Sequence, residues 1–259
     1  MKEPLVIYSV SDRIATITLN RPEKRNALNP EMVRLLTEKM QEAAADQEVK
    51  IIILKAMGNT FSAGADLAYL QQLQHYTYEE NLADSQNLCN LFSTIYFLPK
   101  VVIAQVEGHA IAGGCGLATV CDLIFSVPEA NFGYTEVKLG FVPAIVSCFL
   151  MRKTSETLAK QLLLTGELFS AKQAYDYGLI NFVTNKDNID QKVQDFALNL
   201  CFTTSANSLR VTKQLMDQTT NPDLVKSLEL AVKINASVRD SQDFKKGIAS
   251  FLNKEKINW

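Results

Sequence analysis

Histidine is nearly missing from this chain: His75 and His109 are the two in 259 residues. A histidine-based metal site and a Ser-His-Asp triad are both poorly supported by that pair. Cysteine is scarce too. The five present (Cys89, Cys115, Cys121, Cys148, Cys201) are odd in number, contain no Cys-x-x-Cys, and sit in apolar contexts. They read as small buried thiols rather than a disulfide framework or a metal cluster. Charge of one sign is not in excess: 26 Lys and Arg against 28 Asp and Glu leave a net charge of −2, without a long basic run. Nucleic acid or an anionic membrane as the main partner is therefore not expected. Long hydrophobic runs are absent as well. The apolar stretch at Leu5 to Val10 is too short for a signal peptide, and no later window approaches a membrane span, so a cytoplasmic protein is expected.

What is present is the composition of a soluble globular protein, 47% hydrophobic and 21% charged. The length fits one elaborate domain or a core with a helical appendage. Leu5 to Val10 and Ile14 to Leu19 alternate apolar and polar residues around Ser11-Asp12, a β-hairpin pattern. Asn29-Pro30 starts a helix whose apolar face is Met32, Leu35, Leu36 and Met40. Ile51 to Leu54 reads as a strand covered on both faces. Tyr78 to Phe97 is a long amphipathic helix stopped by Pro99. Beyond Ile145 the pattern turns helical, with a short strand at Leu179 to Val183 and final helices near Ile189 to Cys201, Ala206 to Gln218, Pro222 to Ser237 and Asp243 to Asn253. The early alternation of strands and helices indicates an α/β core. The expected division is a core over residues 1–198 and a helical region over 199–259.

Two segments are rich in small residues. Val101 to Val127 reads as a buried strand, a glycine-rich turn, a helix starting near Gly113 or Gly114, and a second strand from Leu123. A helix that begins at glycines serves either tight packing or close approach of a ligand to unpaired N–H groups, and this stretch by itself does not choose. Phe61-Ser62-Ala63-Gly64-Ala65-Asp66-Leu67 is a second such helix start. A third segment, Glu129 to Phe141, is turn-rich and carries Glu136 among Phe132, Tyr134, Val137 and Leu139.

Taken together these pieces resemble the crotonase, or enoyl-CoA hydratase/isomerase, superfamily over nearly the whole chain. The resemblance rests on Asn20-Arg21-Pro22 with Asn26-Ala27-Leu28, the Phe61 to Leu67 segment, Gly113-Gly114-Cys115-Gly116-Leu117-Ala118 with Cys121-Asp122, Phe132-Gly133 with Glu136, and Gly247 with Phe251. It implies a spiral of ββα units with a C-terminal helical region that forms a homotrimer or a dimer of trimers. It implies an acyl-CoA thioester as substrate, with no metal or redox cofactor. The thioester oxygen would accept from the N–H groups of Ala65 and Gly113, and Glu136 would act as general acid/base. Contacts to CoA or substrate are implied for Lys24, Arg25, Ala27, Ala63, Asp66, Leu67, Gly114 and Gly116. Phe251 and Lys254 would come from a neighbouring subunit's tail.

One departure matters. Family hydratases carry a first glutamate three residues after the second oxyanion glycine, and here that residue is Gly116. Water addition divides most simply between two carboxylates. A single glutamate suits either hydration of a 2-enoyl-CoA or a shift of the double bond between the 3- and 2-positions. The run Glu136 to Ser147 looks like bacterial methylglutaconyl-CoA hydratases of leucine breakdown, so hydration of a short or branched enoyl-CoA is expected. Isomerase, acyl-CoA decarboxylase, and a CoA- or RNA-binding scaffold are the alternatives. Lys138, Arg152 and Lys153 are the nearest cations for a second substrate carboxylate, and His109 and Tyr134 flank the motifs.

Overall fold

The computed structural model describes residues 3–220 and 224–255. The chain opens with the antiparallel hairpin β1 (Val6–Ser11) and β2 (Ile14–Leu19), then α1 (Pro30–Ala45). Asn29 caps α1 by accepting from the Met32 N–H at 2.8 Å, with Pro30 at the first helical position. Met32, Leu36 and Met40 of α1 are fully buried.

Three similar windings follow. In the first, β3 (Ile51–Ala56) leads to the short β4 (Thr60–Ser62) and the helices α2 (Leu67–Leu73) and α3 (Tyr78–Phe97). In the second, β5 (Val101–Val106) leads to β6 (His109–Ile111) and α4 (Gly113–Thr119). In the third, β7 (Leu123–Ser126) leads to β8 (Asn131–Gly133) and a 3-10 turn over Glu136–Leu139, followed by α5 (Ala144–Lys153). Then come α6 (Glu156–Thr165), β9 (Phe169–Ser170), α7 (Ala171–Asp176), β10 (Phe182–Val183), α8 (Lys186–Thr203), α9 (Ala206–Thr220), α10 (Leu224–Val238) and α11 (Gln242–Leu252).

Among the described residues the strands form two sheets. The larger has the order β1-β2-β3-β5-β7-β10, parallel from β2 onward. The smaller has the order β4-β6-β8-β9, with β4, β6 and β8 parallel. Each winding thus adds one strand to each sheet, and the end of each small-sheet strand lies beside the end of the previous one. Ile51, Ile52, Ile53 and Leu54 have no exposed surface, as a central strand covered on both faces requires. α8 lies against this sheet through Ile189, Val193 and Ala197, while α10 packs on α3 and α5. Residues 198 and 199 lie within the continuous helix α8.

The hairpin and the long helices stand where the periodicity puts them. The three-residue strands β4, β6 and β8 fall in segments that read as loops, because a run that short shows no period-two pattern. The strand expected at Leu179 to Val183 shortens to Phe182–Val183, and the helix start expected at Pro222 lies outside the described residues. All five cysteines are free and buried or half-buried.

Candidate active site

The ends of β4, β6 and β8 deliver Ala65, Gly113 and Glu136 from three successive windings. After β4, Leu28 donates to the Gly64 carbonyl at 2.7 Å and accepts from the Asp66 N–H at 2.8 Å. In extended backbone neighbouring N–H groups point to opposite sides. The Ala65 N–H is therefore turned away from Leu28, and it donates to no group among the described residues. Gly64 has φ +83°, and a Cβ there would lie 2.9 Å from both the Ala112 Cβ and the Ile111 oxygen. Only glycine lets the two turns touch in this way. Gly114 interlocks from the other side, since a Cβ on it would collide with the Ser62 carbonyl.

After β6, Ala112 adopts φ 50° and ψ −126°, a strained conformation for a residue with a Cβ, held by its N–H bond to the Gly133 oxygen at 2.7 Å. This turn swings the chain into α4 and leaves the Gly113 N–H without an acceptor among the described residues. A Cβ at Gly113 would meet nothing closer than 3.7 Å, so packing does not require glycine there.

After β8 the chain makes the 3-10 turn that begins at Glu136, whose carbonyl accepts from the Phe141 N–H at 3.1 Å. Glu136 is 9% exposed, and its Oε2 is buried with no hydrogen-bond partner among the described residues. Burial pushes its pKa to about 7, a rise that its own backbone N–H only partly offsets. At neutral pH this acid is poised to take or give a proton. Two unpaired N–H donors and a carboxyl group with one unpartnered oxygen thus end three adjacent windings, an arrangement suited to holding an oxyanion and moving a proton.

A sequence profile described as Enoyl-CoA hydratase/isomerase matches residues 9–259 of the chain. This chain belongs to the enoyl-CoA hydratase/isomerase family. A Thermus thermophilus relative with a provisional enoyl-CoA hydratase name is 41% identical over 241 residues, covering 93% of this chain and 95% of its own. The crotonyl-CoA hydratase of Syntrophomonas wolfei is 30% identical, covering 98% and 97%. An enoyl-CoA hydratase structure from Mycobacterium avium superposes with a TM-score of 0.87 at 30% identity, covering the whole of both chains. The protein is therefore an enzyme of this family.

For an enoyl-CoA hydratase/isomerase the position of Gly116 is informative. A Cβ there would collide with Val146 Cγ2 and lie 2.8 Å from the Phe92 ring. Phe92 of α3 and Val146 of α5 fill the space into which a side chain at 116 would grow. Neither has a sequence signal, since both are ordinary apolar helix positions.

The loop before α1 is sewn to the first small-residue turn. Asn26 is buried, donating to the Met57 and Thr60 carbonyls at 2.8 and 2.7 Å and accepting from the Arg21 N–H. The Ala63 N–H donates to the Arg25 carbonyl at 3.0 Å, and Arg21 pairs with Asp66 at 2.6 Å. Asp66 also caps α2, accepting from Ala68 and Tyr69. Burial alone would raise its pKa, but Arg21 and these N–H groups outweigh it and hold the carboxyl below its usual value. The Asp66 side chain is thus committed to Arg21 and to the cap of α2. Lys24 and Arg25 are exposed on this loop, Ala27 is buried, and Leu67 is exposed at the start of α2.

The tail of this chain returns to its own site elements. α11 packs on its own chain, with Phe244 and Ile248 against Leu70 and Leu73 of α2. Gly247 approaches the 3-10 turn so closely that a Cβ would collide with the Leu139 carbonyl. Phe251, 47% exposed, and the exposed Lys254 therefore sit at the end of a helix that covers this chain's own site elements.

Of the auxiliary candidates, Lys153, His109 and Tyr134 have partners within the fold. Lys138 is exposed, and Lys153 donates to the Cys121 carbonyl. Arg152 lies close to Tyr96 and Asp217, whose ionisation it influences. The His109 ring accepts from the Asn131 N–H at 3.1 Å, and the buried Tyr134 hydroxyl pairs with Thr119 at 2.8 Å. No group of three or more His, Cys, Asp or Glu that could hold a metal occurs among the described residues, and none of the described helices is long and apolar enough to cross a membrane.

Proposed function

We propose that the protein reversibly hydrates a short or branched 2-enoyl-CoA, with 3-methylglutaconyl-CoA as a test substrate. The observation that carries this reading is the buried Glu136 carboxyl, with a pKa near 7 and its Oε2 unpartnered, on the winding that follows those bearing the two unpaired backbone donors. The N–H groups of Ala65 and Gly113 hold the thioester oxygen as it gains charge, an interaction whose loss typically costs about 3–4 kcal/mol of barrier. Ionised Glu136 takes a proton from water as the oxygen adds to C3, then returns it to C2 of the enolate. The sum is one water added across the double bond. Lys24, Arg25 and the backbone of residues 63–67 carry the CoA, and no metal or redox cofactor takes part.

We further propose a cytoplasmic homotrimer or dimer of trimers formed through residues 199–259. Phe202, Val211, Val225 and Leu230 are exposed there and supply an apolar surface. Light scattering that finds one chain per particle would reject the assembly.

The wall of Phe92 and Val146 against Gly116 favours a second reading. With Gly116 at the place of the family's first glutamate, Glu136 alone shuttles a proton between C4 and C2 of a 3-enoyl chain. A panel of crotonyl-, 3-methylcrotonyl-, 3-methylglutaconyl- and a 3-enoyl-CoA, followed by mass and thioester absorbance, separates the two. A gain of one water on a 2-enoyl substrate, lost in Glu136→Gln, supports hydration. Conjugation of the 3-enoyl substrate with no mass gain replaces it with isomerisation.

A further inference from the structure

Arg239, in the turn after α10, is 4% exposed and makes contacts that the chemistry above does not use. Its Nη1 pairs with Asp84 of α3 at 2.5 Å and donates to the Asn81 carbonyl and side-chain oxygen, both at 3.3 Å. The other Asp84 oxygen accepts from the Tyr69 hydroxyl at 2.5 Å. Tyr69 lies in the first turn of α2, and its own N–H donates to Asp66, the residue after Ala65. On its other side the guanidinium lies 5.8 Å from the centre of the Phe141 ring, and the Phe141 N–H donates to the Glu136 carbonyl. One side chain therefore touches both halves of the site, reaching Ala65 through Asp84, Tyr69 and Asp66, and Glu136 through Phe141.

Stability alone is a poor reason to keep this group. Its Nε is buried with no partner among the described residues, and buried ion pairs are often replaceable by apolar side chains without loss of stability. What the group does supply is a fixed geometry, because Nη1 must meet Asp84 and both Asn81 oxygens while the flat guanidinium lies over the Phe141 ring.

We propose that Arg239 is a positioning residue that holds the segment bearing Ala65 and the segment bearing Glu136 in register. The inference rests on the roles given to those two residues above. In the full chain, Tyr69→Phe removes only the hydroxyl link, Arg239→Lys keeps the charge without the planar guanidinium, and Arg239→Met with Asp84→Asn removes both charges together.

Hydrogen–deuterium exchange reads the variants without substrate. The expected result is faster exchange in both segments 64–73 and 134–142 of the double variant, with strands 51–56 and 101–106 unchanged and Arg239→Lys intermediate. Faster exchange confined to α10 and α11, or spread evenly over the sheets, overturns the proposal. With the thioester that the wild type turns over, kcat is expected to fall about 10- to 100-fold while KM stays within about twofold, because misplacement acts on the reacting geometry. An unchanged kcat, or a loss confined to KM, overturns it too. If the wild type turns over no thioester of the panel, the functional reading fails while the exchange experiment still decides this one.

Discussion

A buried carboxyl group with one oxygen unpartnered is easier to protonate than an exposed one, and Glu136 shows the result in a pKa of about 7. Its folded value lies above the unfolded one of 4.5. The folded state therefore binds the extra proton, and the stability from the neutral acid is complete below the unfolded pKa and lost as pH rises through about 7. Glu136→Gln, which keeps the shape and removes the ionisation, is expected to unfold at a higher temperature than wild type at pH 8 and at nearly the same temperature at pH 4. The difference at pH 8 is of order 3–4 kcal/mol, at about 1.4 kcal/mol per pKa unit. Calorimetry at the two pH values checks it, and equal midpoints at pH 8 would show that the carboxyl is not desolvated. The same group predicts that kcat/KM rises with pH to a plateau above about 7, since hydration needs the ionised form. Its loss in Glu136→Gln is expected to be about 10²- to 10⁴-fold.

Gly116 is governed by space. Gly116→Ala alone meets Val146 and Phe92 and is expected to destabilise by about 1–3 kcal/mol. In a Val146→Ala background the added methyl enters the room just vacated, so the two costs should fall well short of additive. Urea melts of both single variants and the double variant measure the coupling, and strict additivity would mean that the two positions do not face each other.

At the scale of elements, the site is three turns set at the ends of three short parallel strands. The first turn is held through the Arg21–Asp66 pair and the cap of α2. Asp66 has a lowered pKa, so its contribution is present above the unfolded value of 3.8 and is lost as pH falls through the lower folded one. Asp66→Asn retains a capping side chain but breaks the ion pair, whereas Asp66→Ala removes both. The loss of the cap in Asp66→Ala is expected to cost about 0.5–2 kcal/mol beyond Asp66→Asn, with activity falling in the same order because Ala65 is the adjacent residue. Thermal melts and initial rates on the two variants check the order.

Over the whole molecule, the tail returns to the core on which it depends. α11 covers α2 and the Glu136 turn of its own chain, and Gly247 is the point of closest approach. Gly247→Ala must push α11 away from Leu139, so activity is expected to fall while the main core stays folded. Near-wild-type circular dichroism with a much reduced kcat is the expected pair of results. A full rate would show that the tail need not seat against the turn.

Composition and local pattern were enough to read an α/β chain with a helical C-terminal region, the hairpin, α1 and α3, because each has a period or a cap carried by neighbouring residues. The small-residue helix starts at 61–67 and 113–118 were legible for the same reason, since turn chemistry is local, whereas the choice of Ala65, Gly113 and Glu136 within them came from the family resemblance. The sequence by itself did not determine that Phe92 and Val146 close the space beside Gly116, that Asp66 is committed to Arg21, that Lys153 serves the Cys121 carbonyl, or that Arg239 joins the two sides of the site. These are contacts between residues 24 to 158 positions apart, and only the winding of the chain brings them together. The three-residue strands that align Ala65, Gly113 and Glu136 were hidden for a related reason. A strand of that length is stable only when paired, so its existence is a property of the sheet and not of the segment.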